Sequence, residues 1–174
     1  MLDLNYIAGL IDADGSINIS VSRNRYKRKK DDGRETLQFS FVVNLRQVSQ
    51  YRWVLEEVQN TLGLGKIYDH ASKSSQAMSS WQTTTEEEAL EVCKKLRPYL
   101  KIKWTYAGDM IEALELWKSE RGPRKGAGYI RPDWVKQEIL KISTRMNPSQ
   151  QKASPRRNKE IRQPESLGIQ VLHH

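Results

Sequence analysis

Residues 6–16, Tyr-Ile-Ala-Gly-Leu-Ile-Asp-Ala-Asp-Gly-Ser, constrain the fold more than any other stretch of this chain. They predict a short apolar helix in which Gly9 and Ala13, four apart, share a face with almost no side chain. Such a strip admits a second backbone at close range, as small residues do between membrane helices, yet the segment is far too short to span a bilayer. The expected partner is another helix inside a soluble protein. The same helix ends on two carboxylates, Asp12 and Asp14, where the helix dipole is already negative. They call for a hydrogen-bond donor or a cation, and a bound metal ion would supply one. Asp14-Gly15 is also an ordinary turn signal, with glycine providing a positive φ after the helix and the aspartate solvated beside it.

From Ser16 onward the pattern changes to period two. Ile17, Ile19 and Val21 share one face, and Ser16, Asn18, Ser20, Ser22 and Asn24 the other. A turn over 27–34, with Asp32-Gly33, reverses the chain. The returning strand sets Leu37, Phe39, Phe41, Val43 and Leu45 against Thr36, Gln38, Ser40, Val42, Asn44 and Arg46. This is a twisted ribbon with one oily face and one hydrogen-bonding face. Antiparallel sheets often have a solvated polar face, but Asn and Gln pair with adenine edges and Ser serves several bases. Strands of about ten residues at ~3.3 Å each reach ~33 Å, roughly ten base pairs. Arg25, Lys27, Arg28, Lys29, Lys30 and Arg34 in and around the turn would meet backbone phosphates.

A helix containing Trp53, Val54, Val58 and Leu62 follows and ends at Gly63-Leu64-Gly65. A second strand pair, 66–70 and 78–84, extends the polar surface through Tyr68, His70, Ser80 and Gln82, with a loop over 72–77 between the strands. Thr85 and Glu88 form a capping box that starts the next helix, with Pro98 near its end. Met110, Ile111, Leu114 and Trp117, then Trp134, Val135, Ile139 and Ile142, predict two further core-facing helices separated by a loop over 121–131. The expected organisation is one domain over 1–146 and a basic tail, extended or partly ordered, over 147–174.

The chain has 174 residues and a net charge of +8, which suits a polyanionic partner. Its one cysteine, Cys93, falls on an apolar helix face with Ala89, Val92 and Leu96, the place of a buried, inert thiol. No internal disulfide is available, and no secretory signal or membrane-length apolar run is visible. A soluble intracellular protein is expected, with no membrane partner.

The string Ala8-Gly9-Leu10-Ile11-Asp12-Ala13-Asp14-Gly15, preceded by Ile7 in place of a leucine, resembles the motif of the LAGLIDADG homing endonucleases. The resemblance implies an α+β fold, αββαββα, with a saddle-shaped antiparallel DNA-binding sheet and, here, extra C-terminal helices. One copy of the motif implies a homodimer whose motif helices pack together through Tyr6, Gly9, Leu10 and Ala13. It further implies that Asp14, aided by the Ala13 carbonyl, binds divalent metal at the scissile phosphate. Oxygen ligands and phosphate point to Mg²⁺, or Mn²⁺, as the cofactor. Asp12 is expected to cap backbone across the helix pair rather than bind metal.

Two more positions follow from the resemblance. Pro98-Tyr99-Leu100-Lys101-Ile102-Lys103 is similar to a segment of the homodimeric branch that brings a lysine into the site, which makes Lys103 a catalytic candidate; the same pair of lysines is also consistent with a solvated basic surface. Gln47 matches a polar residue that holds active-site water. Where the family has a nearby arginine this chain has Tyr51, so Arg46 or Arg52 substitutes or the role is absent. The implied activity is a metal-dependent double-strand cut at a long pseudo-palindromic DNA site, leaving short 3′ overhangs. An RNA maturase assisting intron splicing, with RNA as partner, and a non-catalytic DNA-binding regulator are the readings from other classes. One internal histidine, His70, cannot build a His-Asn-His nuclease site, and no Asp/Glu-x-Lys tripeptide occurs.

Overall fold

Helix α1, Leu4–Asp14, is capped by Asp3, whose carboxylate accepts the Tyr6 N–H at 2.8 Å. It runs directly into strand β1, Gly15–Asn24, which pairs antiparallel with β2, Thr36–Val48. The computed structural model describes residues 1–24, 36–70, 76–122, 124–125, 128–129 and 131–147. A short 3₁₀ turn, Ser49–Tyr51, leads into α2, Arg52–Leu62, and then come β3, Lys66–His70, and β4, Met78–Gln82. Helices α3, Glu86–Leu96, α4, Trp104–Ser119, and α5, Asp133–Met146, follow. The four-stranded sheet has the order β1-β2-β4-β3, so the element order is αββαββα followed by two helices.

The oily ribbon face is the floor of the core. Ile17, Ile19, Phe39, Phe41, Val43 and Leu45 are all buried there, as period-two alternation requires of a half-covered antiparallel sheet. Helices α1 and α3 pack on β2, and α4 and α5 on β1. Trp117 of α4 stands edge-on to Phe39 at 5.4 Å between centroids, and Arg131 lies over its other side at 3.7 Å. The segment 121–131, expected as loop, contains a two-residue ribbon, β5 (Arg124–Lys125) with β6 (Gly128–Tyr129). Strand β4 ends two residues earlier than the alternation predicts, because Thr83 changes its mode of pairing. Its hydroxyl accepts the Val43 N–H at 3.0 Å while its own N–H binds the Val43 carbonyl.

Two local features set firm expectations. Gly63 closes α2 at φ 69°, and Gly65 follows at φ 81° beneath Trp81, whose indole N–H donates to the Leu64 carbonyl at 2.9 Å. A Cβ at Gly65 would lie 2.5 Å from the buried indole nitrogen. Gly65→Ala therefore combines left-handed strain with overpacking, and should lower unfolding stability by about 2–4 kcal/mol in a urea titration. Cys93 is 1% exposed, and burial pushes its thiol up to about 12. A thiol-specific reagent should leave the native protein unlabelled over hours and react stoichiometrically once denaturant is added.

Candidate active site and nucleic-acid interface

The end of α1 is built by contacts from two directions. Successive helix residues are rotated by about 100°, so Asp12 and Asp14 project to nearly opposite sides. On one side, Asp12 accepts three backbone N–H bonds from the link between α3 and α4: Lys101 at 2.7 Å, Ile102 at 3.2 Å and Lys103 at 2.8 Å. Lys103 answers in kind, its ammonium donating to the Ile11 carbonyl at 2.8 Å and the Asp12 carbonyl at 2.5 Å. This cation at a helix C-terminus supplies the charge that the dipole calls for. Burial tends to raise the Asp12 carboxyl, but the three N–H bonds and the Lys103 charge outweigh it and hold it below the usual carboxylate range.

Asp12 thus caps backbone as expected, but the backbone belongs to its own α3–α4 link. The expectation of a cap across a helix pair is corrected, because all three donors of this turn converge on one carboxylate within the chain. Asp12→Asn leaves one oxygen facing the turn and puts an amide where the second accepted its bonds. It should cost about 1–3 kcal/mol of stability at neutral pH, measured by denaturant unfolding. Because the folded carboxyl titrates below its unfolded value, that difference is fully present above about pH 4 and disappears as pH falls through the folded value.

On the other side, Asp14 is exposed, and its carboxylate accepts one bond, from the Gln47 side-chain amide at 3.1 Å. The register Gly15↔Leu45 brings the end of β2, and with it Gln47, alongside the end of the motif helix. Gly15 itself is extended, with φ −85° and ψ 174°, so the expected positive φ is absent. Its glycine is required by proximity instead. A Cβ there would lie 2.8 Å from the Ile11 Cα and 2.9 Å from the Asn44 carbonyl oxygen.

The sequence-derived site residues therefore meet at one helix end, although Lys103 engages helix carbonyls and Gln47 engages Asp14. Neither arginine candidate contacts Asp14. Arg52 donates to Asp69 at 3.2 Å and pairs with Glu56, which commits it to α2 and β3. Arg46 is exposed on the sheet's polar face, in register with Ser80.

Helix α1 has two distinct faces. Ile7, Ala8 and Ile11 are fully buried against the sheet, whereas Tyr6 is 52% exposed and Gly9 and Ala13 lie open. Leu10 flanks the strip half-buried, and nothing lies within 4 Å of a Cβ built on Gly9.

The polar sheet face assembles as the alternation predicts. Ser16 faces Asn44, Ser20 faces Ser40 and Ser22 faces Gln38 across the ribbon, and Asn44 in turn pairs with Gln82. Asn18 donates to Ser20 at 3.0 Å, and Asn24 pairs with Thr36 at the far end. Tyr68 and His70 are exposed on β3, but Ser80 is 3% exposed and its hydroxyl is bonded to His70 at 2.8 Å. Ser80 is set behind longer neighbours and presents almost no surface of its own. Lys66, in register with Gln82, shares this face and was not among the expected contacts, although the period-two spacing to Tyr68 and His70 includes it. Arg25, Lys27, Arg28, Lys29, Lys30 and Arg34 lie outside the described residues, as do 148–174.

Residues 7–106 match the LAGLIDADG endonuclease family. The chain belongs to this family. The LAGLIDADG chain is 29% identical over 113 residues to the DNA endonuclease I-CreI of Chlamydomonas reinhardtii, a match covering 64% of this chain and 62% of that protein. Its fold is similar to the homing endonuclease I-TnaI, with a TM-score of 0.64 at 18% identity, covering 84% of this chain and 88% of the other. It is also similar to I-CvuI, crystallised on an I-CreI target with 2 mM Mg and the DNA not cleaved, with a TM-score of 0.53 at 19% identity over 80% of this chain and 93% of that one. The family is one of endonucleases, and no helix among the described residues is long and apolar enough to cross a membrane.

The donor set at the end of α1 fits a hard divalent ion. An exposed carboxylate beside a backbone carbonyl offers oxygen ligands only, as Mg²⁺ prefers. Among the described residues no three acidic, histidine or cysteine side chains cluster.

Proposed function

We propose that this protein is a site-specific homing endonuclease that acts as a homodimer, cutting both strands of a long pseudo-palindromic DNA site to leave short 3′ overhangs. The observation that carries the reading is the motif helix itself. It ends on an exposed Asp14 bonded to Gln47, while its bare Gly9–Ala13 strip faces outward. A second copy packed on that strip brings a second Asp14 near the first, so that two carboxylates stand close to the axis of the pair. Asp14 and the Ala13 carbonyl hold Mg²⁺ or Mn²⁺, which supplies Lewis acidity toward a phosphate oxygen. Gln47 orients the Asp14 carboxylate and, with its remaining amide proton, water on that side. Lys103 contributes fixed positive charge at the helix end, where negative charge develops on phosphate. The polar sheet face reads base edges in the major groove, about ten base pairs per subunit and roughly twenty for the pair.

The test is selection of cleaved molecules from a randomised duplex library with Mg²⁺, followed by sequencing of the ends. Recovery of a pseudo-palindrome with 3′ overhangs is expected, together with a sedimentation mass twice the 20.2 kDa of one chain. A monomer that cuts both strands, or a library left intact, refutes the reading.

A further inference from the structure

Beside Lys103 lies a cleft that borders both the polar sheet face and the end of α1, and two of its residues, Tyr106 and Asn147, have no part in the reading above. The cleft, of about 310 Å³, opens at the free edge of β1, lined by Ser16, Ile17 and Asn18 of the strand, Lys103 and Tyr106 at the start of α4, and Asn147 at the end of α5. Its walls are fixed. Ser143 donates to the Ile19 carbonyl at 2.8 Å, anchoring α5 on the strand edge, and Asn147 donates to the Asn18 side-chain oxygen at 2.8 Å. Asn18 is thereby held between Asn147 and Ser20.

The cleft has unused donors and no carboxylate. The Lys103 ammonium has three protons and uses two on helix carbonyls, which leaves one. The Asn147 amide uses one of its two protons on Asn18. The Tyr106 hydroxyl has no hydrogen-bond partner among the described residues and is 36% exposed as a residue. Three residues with an unused proton, one of them cationic, line a space that no carboxylate lines. That is the chemistry of an anion seat. Ser16 stands two residues beyond Asp14 on the polar face, so an anion here is continuous with a nucleic-acid strand lying along that face.

We infer that the cleft seats a backbone phosphodiester of bound DNA adjacent to the one at Asp14, with Tyr106 and Asn147 as positioning residues that fix the strand's register over the site. The inference rests on the nuclease reading and deepens it. Lys103, already anchored as a helix cap, offers its third proton without moving. Tyr106 and Asn147 are neutral donors that place the strand through directional hydrogen bonds to one phosphate.

Synthetic target duplexes bearing a single uncharged methylphosphonate at each phosphate near the cut, bound to the full chain, test this directly. For the wild type, one methylphosphonate next to the scissile position should weaken binding by about tenfold. Tyr106→Phe, which removes only an oxygen from a half-exposed ring, should weaken binding to unmodified DNA by a similar factor. In that variant the same methylphosphonate should cost less than about twofold, and Asn147→Ala should repeat the pattern. A wild type that binds and cuts DNA but shows no methylphosphonate position coupled to Tyr106 overturns the seat and leaves the nuclease reading standing; one that binds without cutting and shows no such coupling overturns both. A wild type that binds no DNA overturns both.

Discussion

Asp14→Asn is expected to reduce the single-turnover cleavage rate by at least about 10³-fold while changing DNA affinity by less than about threefold. The substitution keeps the size of the side chain, and an amide oxygen still accepts the Gln47 bond seen at 3.1 Å. What it removes is the negative oxygen that binds a divalent ion. Metal stabilisation of a phosphoryl transition state amounts to several kcal/mol, and about 4 kcal/mol corresponds to a thousandfold. Because Asp14 is exposed at the helix end, unfolding stability should change by less than about 0.5 kcal/mol. Cleavage of a target plasmid in Mg²⁺, binding by gel shift and a urea titration separate the three quantities. Residual cutting within tenfold of wild type would remove Asp14 from the metal site.

Gly15→Ala is the second large effect, and its signature differs. The added methyl would sit 2.8 Å from the Ile11 Cα and 2.9 Å from the Asn44 carbonyl oxygen, two backbone atoms that no rotamer change can move. Helix α1 and strand β2 must therefore separate at the point where Asp14 meets Gln47. A cost of about 2–4 kcal/mol in stability is expected, with a fall in cleavage beyond what the remaining folded fraction explains. Urea unfolding together with cleavage below the unfolding midpoint reads both. Asp14→Asn should spare stability and Gly15→Ala should not, so the pair distinguishes loss of a ligand from displacement of one. If Gly15→Ala is as stable and active as wild type, the close approach of helix and strand is not a requirement of the site.

Much of the scaffold was legible because it depends on local periodicity. Alternation over 16–24 and 36–46 assigned the buried and polar faces of the ribbon, and Ile17, Ile19, Phe39, Phe41, Val43 and Leu45 are buried as that alternation demands. Thr85 accepts the Glu88 N–H at 3.1 Å, as the capping box predicts. Ser80 shows the limit of such patterns. Its face follows from parity, but its 3% exposure depends on the longer residues of neighbouring strands, which a single strand's pattern does not contain.

By itself, the sequence determined that an apolar helix with one bare face would end on two aspartates and lead into a ribbon with one polar side. Those properties follow from spacing within a few residues, where backbone geometry is fixed. Only the tertiary structure decided what each aspartate does. Asp12 finds its donors 89, 90 and 91 residues away, on a link whose arrival at α1 depends on how the helices pack over the sheet. Asp14 stays exposed because the same packing leaves its side of the helix to Gln47 alone among the described residues. The dipole made both carboxylates costly at that helix end; the α3–α4 link satisfies one and leaves the other in solvent.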